Sequence, residues 1–219
     1  MGFFDRLFRK SSPPPPSETP DDRAPGWEAI DEALARVYGL QKPKHLANGG
    51  VRWIHDLSGR ANPLDGVHVF DAETNWHYVG LGLTELYGKE SNRPDVSGLG
   101  YELTFRLGKR ENETLPPVWP VDLMNGLGRP AMLGKVVLDV GDTIKTGPLA
   151  AEGDGQKYVG VLVAEDPSLP GIDTPHGRMK FLQLVPVDAQ TLARAQDGNA
   201  AAVLAELALQ DPDLVFRLR

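Results

Sequence analysis

The chain has 219 residues, 41% apolar and 24% charged, with a formal net charge of −7 and no cysteine. This balance excludes global disorder, and the length allows one large domain or two small ones with no need of a disulfide or metal staple. The missing cysteines remove zinc ribbons, iron–sulfur ligation and thiol catalysis, and the acidity argues against a protein that tracks nucleic-acid phosphates.

Phe3, Phe4, Leu7 and Phe8 make one short apolar face in residues 1–10, interrupted by Asp5 and Arg6 and followed by Arg9 and Lys10. That pattern is not a secretory signal, and ten residues are too few for an isolated helix. The segment would order only against a membrane surface, a partner or the parent domain. Arg6 stands where N-myristoylation expects Ser or Thr, and no run approaches the length of a membrane span, so a cytoplasmic location is expected. Residues 11–25 carry Pro13 to Pro16, Pro20 and Pro25 and read as a semi-rigid linker. One folded domain is expected over residues 26–219.

Within it, Trp27, Ile30, Leu34 and Val37 recur at helical spacing, closed by Gly39. Residues 41–66 lack a clear period and read as irregular. Val67 to Phe70 and Trp76 to Leu81 read as strands. Residues 101–107 alternate strictly, with Tyr101, Leu103, Phe105 and Leu107 on one face and Glu102, Thr104 and Arg106 on the other, the pattern of a half-buried strand. Trp119 to Leu133 is predicted helical, with Pro120 in the first turn and Pro130 ending or kinking it. Val136 to Val140, Tyr158 to Ala164 and Phe181 to Val187 follow as strands. Thr174-Pro175-His176-Gly177 reads as a tight turn, residues 188–209 as one or two helices, and Leu214 to Leu218 as a closing strand. The implied fold is α+β: a mixed, largely antiparallel sheet flanked by α-helices in a single domain.

A search for catalytic groups finds no constellation of roles. His77 with Glu85 and Glu102 could make a two-carboxylate, one-histidine metal site, but no metal-like spacing supports it, and a strand histidine bonded to a carboxylate explains His77 as well. Asp173 and His176 flank Thr174-Pro175, where Asp and Thr bond back to their own backbone to start a turn. Ser97-Gly98-Leu99-Gly100 departs from the nucleophile elbow, and the glycine-rich stretches lack the Lys and Ser/Thr of a phosphate loop. The expectation is therefore no catalytic residue, no cofactor and no metal.

Several short words in fixed order are similar to the Suppressor of fused domain. They are Trp76-His77-Tyr78 with residues 82–88; Gly98 with Gly100 to Leu107; Pro116-Pro117 with Trp119-Pro120 and Leu123-Met124; Gly141-Asp142; Glu165-Asp166-Pro167; Thr174-Pro175 with Gly177; and Phe181-Leu182-Gln183. The resemblance spans roughly residues 26–219 and implies a mixed sheet with helices that binds proteins without enzymatic activity. Eukaryotic members are two-domain regulators that sequester a transcription factor, holding its peptide as an added strand between the domains. Asp142 matches an Asp of that pattern, whereas Pro130 replaces an aromatic residue of the partner contact. Single-domain bacterial relatives resemble immunity proteins that neutralise toxins.

The resemblance thus points to a bacterial, immunity-type protein that sequesters a cognate and basic toxin, with Gly141, Asp142, Asp173 and His176 as partner-binding candidates. A second reading is a regulatory adaptor docked on membrane or partner through Phe3, Phe4, Leu7 and Phe8.

Overall fold

The computed structural model describes residues 24–47, 63–149 and 153–218. The apolar N-terminal face and nearly all of the proline-rich segment lie outside these residues. Pro25 is described, and it opens helix α1 (Pro25–Tyr38) at a first-turn position. Ile30, Ala33 and Leu34 form the buried stripe of α1, and the Gly39 N–H donates to the Ala35 carbonyl at its end (2.8 Å).

The strands are β1 (Lys44–Ala47), β2 (Gly66–Ala72), β3 (Asn75–Leu81), β4 (Val96–Gly108), β5 (Thr143–Lys145), β6 (Tyr158–Glu165), β7 (Ile172–Thr174) and β8 (Gly177–Asp188). They form one sheet in the order β1-β2-β3-β4-β8-β6-β5, with β7 added beside β8. Every pairing is antiparallel except β4 with β8, where Tyr101 to Thr104 run alongside Lys180 to Gln183. Helix α2 (Trp119–Met132) lies between β4 and β5 in sequence, and α3 (Ala189–Arg194) and α4 (Ala200–Gln210) follow β8, joined through a kink at Asp197–Gly198. This is the α+β fold expected.

Helices cover both faces of the sheet. Val121 and Met124 of α2 pack on Val67, Tyr78, Leu103, Phe105, Val163 and Leu184. On the other face, α1 packs on Phe70, Val79, Leu81 and Phe181, while Leu192 and Val203 of α3 and α4 cover Leu162, Val185 and Val187. Because both faces are covered, β4 is not half-buried: Glu102 and Thr104 are fully buried and Arg106 nearly so. The alternation was read correctly, but the polar face meets protein instead of water.

Four expectations are corrected. β1 lies within the stretch read as irregular, and β5 was not foreseen; both are short edge strands with too few residues to show a period. Val136 to Val140 is not a strand: the Leu138 N–H donates to the Tyr101 hydroxyl (3.3 Å) and the valines face outward. Leu214 to Leu218 makes only a single parallel bridge, Phe216 beside Leu107. Pro130 lies in the last turn of α2, two residues before the helix ends at Met132, in keeping with its expected place near the end.

The β7–β8 turn is closed as expected: the Thr174 hydroxyl donates to the Gly177 carbonyl (2.8 Å) and accepts from the His176 N–H (3.1 Å). Gly177 has φ +113°, and a Cβ there would lie 2.6 Å from the Val96 nitrogen, so this hairpin presses backbone to backbone against the start of β4. Gly177→Ala is expected to lower stability by at least about 2 kcal/mol through backbone strain and displacement of β4, measured by urea denaturation.

Candidate partner-binding edge and its buried support

Thr104 and Arg106 on the polar face of β4 meet a carboxylate far away in sequence. Asp166, just after β6, accepts from Nε2 of His77 (2.8 Å), the Thr104 hydroxyl (2.8 Å), the Arg106 guanidinium (3.3 Å), and the Ser168 N–H and hydroxyl (each 3.0 Å). The Tyr38 hydroxyl, at the end of α1, donates to His77 Nδ1 (2.5 Å). Burial pushes the Tyr38 hydroxyl up to about 12, which keeps its proton in place, and burial also lowers the His77 imidazole into its neutral form. Burial opposes the Asp166 charge, yet His77, Arg106 and Ser168 together hold its carboxyl well below the usual carboxylate range. His77 and Asp166 are both sealed from solvent. The cluster therefore ties α1, β3, β4 and the β6–β7 connection together; it offers no surface to a substrate.

Beside it, the loop after β3 is wrapped around two further carboxylates. Glu102 accepts from the N–H groups of Gly82, Leu83 and Thr84 and from the Thr84 hydroxyl (2.7–3.1 Å). Glu85 accepts from the N–H groups of Glu90, Ser91 and Gly98 and from Lys89 Nζ (2.5–2.9 Å). Burial raises Glu102 to about 7 despite its donors; for Glu85 the donors outweigh burial and hold it at about 2. Glu102 and Glu85 are each occupied by different donors of this loop and His77 bonds Asp166, so the three do not form the metal site considered from sequence. Among the described residues no three His, Cys, Asp or Glu side chains are arranged to hold a metal.

The expected partner-binding residues sit on two elements. Gly141 and Asp142 open β5. The Asp142 N–H donates to the Asp139 carbonyl (3.1 Å), and Gly141, with φ +91°, takes the position of this turn that needs a positive φ. The Gly141 N–H and the Asp142 carbonyl then both bond Val163, so two residues oppose one in a bulge. The Asp142 carboxylate accepts from the Asp139 N–H (2.7 Å), and Asp139 pairs with Lys180 of β8 (2.5 Å). Asp173 and His176 lie on the β7–β8 hairpin, where Asp173 is exposed near Arg178 (3.7 Å) and the His176 carbonyl accepts from Lys89 (2.8 Å).

Beyond the bulge, the chain follows β6 to Leu149: Thr146 and Gly147 donate to the Val159 carbonyl and Leu149 to the Tyr158 carbonyl. Ile144 stands opposite Val161, with Asp142 and Thr146 bonded inward on either side. By antiparallel alternation, the main-chain groups of Thr143 and Lys145 point away from β6. Among the described residues no strand pairs with this outer edge. Exposed Val136, Val137 and Val140 lead up to it. These valines looked like a strand in sequence; their exposure could be seen only once Leu138 was placed in the core.

The family model described as Suppressor of fused protein matches residues 60–219, and the chain belongs to this family. The human Suppressor of fused homolog is 31% identical over 194 residues, covering 82% of this chain and 39% of the relative; the mouse homolog matches equally. The chain thus spans about two fifths of these relatives. The crystal structure of the Sufu–Fu complex contains a chain with TM-score 0.76 and 31% identity, covering 90% of this chain and 91% of that one. Drosophila Suppressor of Fused superposes with the same score and identity, covering 90% of this chain and 50% of that one. A SUFU homologue from Neisseria gonorrhoeae shares the fold at TM-score 0.58 and 12% identity, covering 87% and 93%.

Two outcomes are expected for the buried carboxylates. Asp166→Ala leaves Arg106 buried without its acid and should cost about 3–5 kcal/mol in urea denaturation. Glu102 holds its proton more tightly in the folded chain (about 7) than an ordinary glutamate does (4.5), so its contribution is full below 4.5 and lost as pH rises through 7. Glu102→Gln should flatten the fall in melting temperature between pH 5 and 7.

Proposed function

We propose that this chain is a non-enzymatic protein-binding domain that accepts an extended segment of its partner along the outer edge of β5. The observation that carries this reading is the outward-facing main chain at Thr143 and Lys145, on a strand with no outer neighbour among the described residues. Strand addition draws affinity from main-chain bonds and specificity from alternate side chains, so one scaffold can serve many partners. Gly141 and Asp142 set where the edge begins, and Asp173 and His176 supply a second contact on the β7–β8 hairpin. Support comes from the family and from the 31% identical chain in a complex named for Sufu and Fu.

The finer reading is an immunity-type protein of the bacterial cytoplasm that masks a basic toxin. Its support is the net charge of −7 and the resemblance to single-domain bacterial members drawn from the sequence words. No described helix is long and apolar enough to cross a membrane. An acidic surface would speed encounter with a basic partner, and such steering weakens with salt.

The test is Thr143→Pro, which removes an outward donor at the first position of an edge strand, where proline is tolerated. Partners captured from the native cell on the wild-type domain are identified by mass spectrometry, and binding is then titrated. Thr143→Pro should weaken binding at least about tenfold with the melting temperature nearly unchanged, the loss corresponding to a main-chain hydrogen bond and its neighbours. Unchanged affinity would remove the β5 edge as the site. Binding that strengthens with salt would count against a basic toxin.

A further inference from the structure

The opposite end of the sheet carries a second group of titratable side chains that the proposed partner edge does not use. His45 on β1 and His68 on β2 are direct cross-strand partners. Their rings lie 5.0 Å apart, and the Trp27 ring of α1 stands 5.7 Å from each. His68 is buried, and its Nδ1 has no hydrogen-bond partner among the described residues. The nearest acid is Asp31 of α1, with Oδ1 at 3.6 Å, beyond hydrogen-bond range and itself half-exposed. Val79 of β3 is the other cross-strand neighbour of His68 and supplies no charge.

Among the described residues, the neighbours of His68 are Trp27 and Asp31 from α1, His45 from β1, Phe70 from its own strand, Val79 from β3, and Lys42 from the α1–β1 connection. Lys42 lines a cavity of about 200 Å³ with His68, Asp31, Leu34 and Phe70. The charged neighbours that could answer a new positive charge are Asp31, whose carboxylate is bonded to the Trp27 side chain, against one lysine and a second imidazole. A neutral His68 packs well here; a protonated one would be a buried cation whose nearest described acid stands beyond hydrogen-bond range.

We propose that the Trp27–His45–His68–Asp31 cluster is a proton-operated latch that holds β1 against β2 when the His68 imidazole is neutral and releases it when that imidazole is protonated. Burial, with His45 beside it, lowers His68 to about 4, which agrees with this geometry. The sign follows from that direction. The folded state takes up the proton less readily than the open chain, whose histidine titrates near 6.5, so closure is complete above 6.5 and weakens as pH falls toward 4. β1 is an edge strand of four residues, so its release costs few ladder bonds and bares the edge of β2. The sheet then has a conditional edge at β1–β2 and a permanent one at β5. Mildly acidic surroundings would open the first and leave the second untouched.

Amide hydrogen exchange on the full chain, read by mass spectrometry at pH 5 and pH 7.5 and corrected for the intrinsic rate, tests the latch. Opening of Lys44–Ala47 should rise about thirtyfold from pH 7.5 to pH 5, the factor expected for one histidine moving from about 4 closed to 6.5 open, while β6 and β8 change far less. His68→Phe keeps a ring of similar size and should abolish the rise. His45→Phe removes the neighbouring imidazole, and the His68 ring signal in NMR should then titrate closer to 6.5 than in the wild type. A wild-type β1 whose opening is independent of pH would overturn the proposal. So would a rise that persists in His68→Phe, or a His68 titration unmoved in His45→Phe.

Discussion

The Asp166 carboxylate is the interaction on which the rest of this structure depends. Five donors converge on it from β3, β4 and its own loop, and His77 extends the set to Tyr38 at the end of α1. A buried charge is costly, and removing one of its partners is costlier than never having buried the pair. The cluster does little to raise stability over an apolar core of equal volume. Its contribution is register: only one placement of β3 beside β4 brings His77, Thr104 and Arg106 within reach of a loop that follows β6. The polar cluster also divides the sheet face, with the apolar contacts of α1 on one side and those of α3 and α4 on the other.

The sequence made much of this legible, though not its meaning. Trp76, Tyr78 and the alternation from Tyr101 to Leu107 read as strands because one face of each is large and apolar. The opposite face of β4 reads as solvated, since Glu102, Thr104 and Arg106 are the residues that usually meet water. The burial of Thr104 and Arg106 depends on Asp166, about sixty residues downstream, a separation that makes the contact invisible to local pattern, and that of Glu102 on the donors at residues 82–84. The carboxylate bonded to His77 was expected in kind, but not its place in the chain. The words that carry the family resemblance include Asp166 itself, in Glu165-Asp166-Pro167, so the resemblance held information that periodicity could not supply.

The candidate edge was harder to read for a different reason. β5 has three residues and β1 four, and neither is long enough for a period. Gly141-Asp142 stood out as a word of the family resemblance, and its geometry is that of a turn into a bulge: the glycine takes the positive φ and the Asp142 carbonyl accepts from Val163, together fixing where an exposed main chain begins. Val136, Val137 and Val140 misled in the other direction. A β-branched run reads as a strand, yet here only Leu138 enters the core, and the valines are left on the surface leading to β5.

The single parallel pairing also has a consequence for how the chain reaches this form. β2, β3 and β4 form a meander of neighbours, whereas β4 waits for β8 across about eighty residues, a separation that slows closure because loop entropy must be overcome before the contact forms. During synthesis the meander emerges first, with the β8-facing edge of β4 open and Arg106 still lacking Asp166. Every copy thus passes through a stage in which its eventual centre is an unpaired edge, the kind of edge on which aggregation starts. Thr104 and Arg106 then act in time as well as in space: until their acid arrives, they keep one face of β4 unattractive to the wrong apolar partner.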